Sequence, residues 1–194
     1  MRWTLDDDGG ITWRVQEGDK AHDDHIEMSG RKISLILGYA TKDDGALVLH
    51  LILVWPALRT IPNDTHASLA HNFGFEFFPK ITIDGRPIGA EFPISFTLRG
   101  MLTVRSRTAS GVEVRRTIFP STTKPAAIEN CTLTNTTSKP VTVEIGRIDT
   151  SHPSPPTFRT DPAKGVYGEY VLAAEVVGSG AFKLAPGESV EFSM

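Results

Sequence analysis

Between Gly111 and Ile145 the chain reads GVEVRRTIFPSTTKPAAIENCTLTNTTSKPVTVEI, and no other stretch restricts the possible fold as strongly. Val112 and Val114 alternate with Glu113 and Arg115, after which Ile118 and Phe119 run into Pro120. Ala126 to Leu133 follows Ser-Thr-Thr-Lys-Pro, and Val141, Val143 and Ile145 then alternate with Thr142 and Glu144. Successive side chains of a strand point to opposite faces, so an apolar residue at every second position marks a segment buried on one side. The clusters of Pro, Asn, Ser and Thr between these segments are breaks. The pattern predicts three half-buried antiparallel strands joined by two polar, proline-bearing connections.

The rest of the chain extends this picture. Trp3 to Leu5 and Ile11 to Val15 flank Asp-Asp-Asp-Gly-Gly, which predicts a hairpin. Ile33 to Ala40 is mostly apolar. Ala46 to Trp55 is almost continuous in Leu, Ile and Val, as expected of a central strand buried on both faces. The segment Trp-Pro-Ala-Leu-Arg-Thr-Ile-Pro-Asn-Asp-Thr-His that follows holds two prolines, which excludes a regular helix and predicts a long irregular connection. Phe73 to Phe78 is aromatic-rich, and Ile81 to Ile83 before Asp-Gly predicts a short strand and a turn. Ile94, Phe96 and Leu98 alternate with polar residues, and Arg-Gly then turns into Met101 to Arg107, so that a β-meander leads into the stretch described first. Gly165 to Val177 reads as strand again, after a proline-rich loop that begins near Ser151. No helix of three turns is legible. The fold class is all-β, a large antiparallel β-sandwich.

At 194 residues the chain suits one sandwich domain spanning 1–194, large enough to bury a core without disulfides or metals. A formal charge of −3 gives no electrostatic footprint for nucleic acid or an anionic membrane. The opening residues lack the apolar run of a signal peptide, and Ala46 to Trp55 is too short to span a bilayer as a helix. The single cysteine, Cys131, lies in an alternating strand and reads as a buried free thiol. Lys-Leu-Ala-Pro-Gly-Glu-Ser reads as a turn into a last strand in which the chain stops, the expectation for a piece of a longer polypeptide.

A strand ending in Ile118-Phe119-Pro120-Ser121, followed by Lys124-Pro125-Ala126 with Ile128-Glu129, then Leu133, Asn135 and Ser138-Lys139-Pro140-Val141, resembles the N-terminal β-supersandwich domain of bacterial glycoside hydrolases. These are the six-hairpin or (α/α)6-barrel enzymes, whose supersandwich is galactose-mutarotase-like. The resemblance covers most of the chain. It implies a non-catalytic accessory domain that supports a C-terminal helical catalytic barrel of the same polypeptide and shapes one side of a carbohydrate cleft. The catalytic acids of such enzymes lie on the barrel, so no catalytic residue is assigned in this chain.

Two constellations could carry binding. His22, Asp23, Asp24, His25 and Glu27 form the densest cluster of potential ligands, and on a strand Asp23, His25 and Glu27 share one face. Imidazole and carboxylate suit a zinc-like ion, but the spacing fits no metal motif. A polar network or an interface with the helical domain is the favoured alternative, and no metal is assigned. Trp55, Arg59, Asn63 and His66 offer an aromatic platform and hydrogen-bonding groups that suit a sugar. Against that stands a Trp55 packed in the core with Arg59 paired to a carboxylate. A stand-alone lectin-like module using Trp55 is the second functional reading. No nucleotide loop or serine elbow occurs, so no cofactor is implied. Arg105, Arg107, Arg115 and Arg116 read as a solvated or interface-facing side of two paired strands. Sequons at Asn63, Asn130 and Asn135 are discounted as chance matches in Thr-rich strands.

Overall fold

The computed structural model describes residues 2–59, 68–73, 78–153 and 170–194, apart from the side chains of residues 57–59, 68 and 152. All regular structure among them is strand. In chain order the strands are β1 (Trp3–Leu5), β2 (Ile11–Arg14), β3 (His22–Ser29), β4 (Ser34–Thr41), β5 (Leu47–Arg59) and β6 (Ser68–Phe73). Then come β7 (Ile81–Ile83), β8 (Arg86–Pro87), β9 (Glu91–Leu98), β10 (Leu102–Thr108), β11 (Val112–Pro120) and β12 (Ala127–Asn135). The last are β13 (Val141–Ile145), β14 (Asp149–Pro153), β15 (Val171–Glu175), β16 (Gly180–Leu184) and β17 (Ser189–Ser193).

The chain is an all-β antiparallel sandwich. A seven-stranded sheet ordered β1-β2-β9-β10-β11-β12-β17 forms one layer. Two four-stranded sheets, β3-β4-β5-β6 and β16-β13-β7-β8, supply the residues facing it, and β14 and β15 form a separate hairpin. The expected meander is present as β9 to β12, each strand paired with the next. The third segment of the 111–145 stretch leaves that sheet. β13 pairs with β7 and β16, and the neighbour of β12 is β17. Alternation tells a strand which way to face; it does not name its partner.

Local chemistry explains the turns. Asp84 and Gly85, between the paired Ile83 and Arg86, both take positive φ, 50° and 74°. A two-residue turn of this kind matches the twist of antiparallel strands, and Asp-Gly tolerates it best. Asn135 does similar work at the end of β12. It is fully buried, its amide nitrogen donates to the carbonyls of Lys139 and Leu184, and its side-chain oxygen accepts from the Thr137 amide. That side chain is engaged in the fold, in keeping with discounting its sequon.

Two apolar clusters lie against one face of the seven-stranded sheet. Beneath β3–β6 the cluster includes Trp13, Leu35, Leu37, Tyr39, Trp55 and Phe96. Beneath β16-β13-β7-β8 it includes Val112, Val114, Leu133, Val143, Ile145 and Phe192. β5 lies inside its sheet, between β4 and β6, as expected. Its burial is one-sided, however. Leu53 and Trp55 are buried, whereas Val48, Ile52 and Val54 on the outer face are only half-buried because no described element covers them. The strand also runs on through Pro56 to Arg59, where an irregular connection was expected. The proline falls where the β5–β6 register slips between Trp55 and Arg59.

Candidate functional site

β3 splits the histidine-acid cluster between two faces. His22 pairs with Thr41 and Asp24 with Tyr39, whose side chains point into the core. His22 packs edge-on against Trp13, ring centroids 5.3 Å apart, and its Nε2 lies 3.8 Å from Asp24 Oδ2. Asp23, His25 and Glu27 take the outer face, as alternation predicts, and His25 shares a row with Gly38 and His50. His50 folds over Gly38 so closely that a Cβ there would meet the imidazole Cε1 at 1.7 Å. Among the described residues no group of three His, Cys, Asp or Glu is placed to hold a metal. β3 is an edge strand of its sheet. Charged side chains on an edge resist pairing with another chain, which gives Asp23, Asp24 and Glu27 a physical role without chemistry.

Trp55 takes the core position of its two alternatives. It is 7% exposed, and its indole Nε1 donates to the Pro125 carbonyl at 3.0 Å. The backbone of Arg59 pairs with that of Ser68. The Arg59 side chain, and Asn63 and His66 altogether, lie outside the described residues.

The feature missed in the sequence is Arg116. Its neighbours Arg105 and Arg115 face outward on the seven-stranded sheet, Arg105 donating to Glu113 at 2.7 Å. Arg116, by contrast, shares the inward face with Val112, Val114 and Ile118, and only 12% of its side chain is exposed. It is therefore not part of a solvated basic side. Its guanidinium grips Glu91 through both terminal nitrogens, Nη2 to Oε1 at 2.6 Å, and its Nε lies 3.0 Å from Glu129 Oε1. The Ser106 hydroxyl donates to Glu91, and the Cys131 thiol donates to Glu129 Oε1 at 3.1 Å. Burial alone would lower the Arg116 pKa, but the Glu91 and Glu129 carboxylates override it and keep the guanidinium charged. Burial also pushes the Cys131 thiol well above its ordinary range, with Glu129 adding to the shift, so the group is an inert thiol. The parity of Arg116 with Val112 and Val114 was the available signal.

Glu129 also borders a cavity of about 700 Å³. Leu53, Trp55, Leu69 and Phe73 form its wall on β5 and β6; β12, β14, β15 and the residues around Ser193 close the other sides. Val171 and Val177 on its rim are 66% and 63% exposed. Asp149 and Glu175, directly opposed on β14 and β15, also border it, and Asp149 pairs with Arg147 at 3.0 Å. A volume of this order suits a small ligand. No protein-family model matches the chain, and no curated protein matches it either.

Proposed function

We propose that this sandwich is a non-catalytic accessory domain of a glycoside hydrolase, supporting a helical catalytic barrel and shaping one side of its carbohydrate cleft. What supports the reading is the outer face of β3–β6, together with the resemblance of the 118–141 stretch. Ile36 and Ile52 on one side of the His25–Gly38–His50 row and Val48 on the other, with Val54 beyond, give that face apolar area, and Asp23 and Glu27 border it in acid. A strand with apolar residues on both faces, as β5 has, normally has both faces covered. A helical domain presenting an apolar stripe with basic residues along one side would cover this one. HDDHIEMSG then lines the junction and takes no part in catalysis. The lectin-like alternative has less support, because Trp55 is held in the core with its indole nitrogen occupied.

The test is hydrolysis. The purified chain is expected to release no reducing sugar from a panel of aryl glycosides and oligosaccharides. Supplying the helical domain in trans should restore turnover, and Ile52→Asp on the outer face should abolish the restoration without unfolding the sandwich. Sugar release by the chain alone, lost on a single carboxylate substitution, would refute the proposal.

A further inference from the structure

We propose that the cavity bordered by Glu129 binds a small organic cation, an ammonium group carried on an apolar body. This rests on different residues from the docking face and does not depend on it.

The first reason is charge balance. Glu91 and Glu129 are two carboxylates held by one guanidinium, a formal excess of one negative charge in a place where all three side chains are 85% or more buried. An uncompensated buried charge is costly, and a cation within reach relieves it. The second reason is where that excess can be met. Glu129 Oε1 is occupied by Arg116 and the Cys131 thiol, and no described residue donates to Oε2. The open space that Glu129 borders is the cavity.

The lining specifies the rest of the ligand. Trp55, Phe73, Phe78 and Tyr170 border the same space, and no described lining residue is a Lys, Arg or His. Aromatic faces attract cations, and their apolar area suits a hydrocarbon body. Glu175 at the rim has no ion-pair partner among the described residues and adds to the same field. About 700 Å³ is far more than a metal ion or one lysine side chain fills, which favours a complete small molecule.

The experiment titrates the full chain, by calorimetry and by amide chemical shifts, with naphthylethylammonium, naphthylethanol and naphthylpropanoate. The expected order is ammonium first, alcohol about tenfold weaker and carboxylate weakest. Shifts should fall on Leu172, Ala173 and Met194. Glu129→Gln should bring the ammonium down to the alcohol. Should Glu129→Gln fail to fold, Ala174→Trp takes its place. On β15 Ala174 faces the same apolar cluster as Leu172 and borders the cavity, so a ring there fills the space and should abolish ammonium binding. Equal affinity for ammonium and alcohol, preference for the carboxylate, binding unaltered by Ala174→Trp, or no binding of any probe to a folded chain overturns the proposal.

Discussion

The cluster beneath β3–β6 and the cluster beneath β16-β13-β7-β8 share one sheet but fill space differently. The first is built on rings: Trp13, Tyr39, Trp55, Phe73 and Phe96, with Trp13 stacked on Phe96 at a centroid distance of 5.0 Å. The second is built on branched aliphatics, and Phe192 is its buried ring. Short branched side chains on facing sheets interdigitate with few gaps, whereas large flat ones leave spaces where their edges fail to meet. The cavity opens along Leu53, Trp55, Leu69 and Phe73, at the edge of the aromatic cluster. Between the two clusters stand Arg116 and its carboxylates. In the inward-facing row Trp13, Phe96, Val104, Arg116, Cys131 and Phe192, the charge sits where one cluster gives way to the other. The cavity thus goes with the aromatic half and the buried charge with the seam.

The largest expected effect is at the seam. Arg116→Met leaves Glu91 and Glu129 buried without a counter-charge and should cost about 3–5 kcal/mol in urea unfolding. Adding Glu91→Gln and Glu129→Gln should recover much of that loss, since the penalty lies in the stranded charges. A triple variant no more stable than the single one would mean that the seam is held by shape.

The two clusters should also answer differently to the same truncation. Leu133→Ala, at a fully buried position of the aliphatic cluster, opens a void and should cost toward the upper end of about 2–5 kcal/mol. Leu53→Ala enlarges a space already present and should fall toward the lower end. Equal losses would erase the distinction between a closed and an open half.

A pH effect follows at Cys131. Its folded pKa is raised above the ordinary 9.0 by burial and then by Glu129. A raised folded value gives stability that is fully present below pH 9.0 and is lost as pH climbs from there toward the folded value. The urea midpoint should therefore fall above that pH, and Cys131→Ala should flatten the first part of the fall. Tyr39, whose pKa is also raised by burial, contributes only from its ordinary 10.0 upward. The smallest effect is expected at Arg99, which meets Asp8 at 2.6 Å with both side chains at least half exposed. Arg99→Ala should cost about 0–1 kcal/mol, less in high salt.

Much of this architecture can be read from residues alone, and the misses have physical causes. Val112, Val114, Val141, Val143 and Ile145 announce their buried face by parity, and Asp84-Gly85 announces its hairpin by the φ values that it tolerates. Arg116 has the same parity as Val112 but the wrong chemistry for a core. Its charge groups it with Arg105, Arg107 and Arg115, although alternation sets it apart from Arg115. Its carboxylates come from Glu91 and Glu129, on two other strands, and pattern within one segment cannot pair them. The slip in the β9–β10 register between Arg105 and Ser106 takes Ile94 out of the alternation, whereas Phe96 is buried and Leu98 packs partly buried against the same cluster. His22 to Glu27 was legible as a cluster. Its division between two faces followed from the strand, and its place at a sheet edge did not.

The central claim is that one seven-stranded sheet binds both clusters into a single cooperative unit around the buried charge. Hydrogen exchange at increasing denaturant tests it most directly, through the amides of Leu35 on β4 and Val143 on β13, which belong to the two separate covering sheets. The account predicts one opening free energy and one denaturant slope for both. If β4 opens at a lower free energy while β13 stays protected, or the reverse, the halves are independent and the seam does not join them.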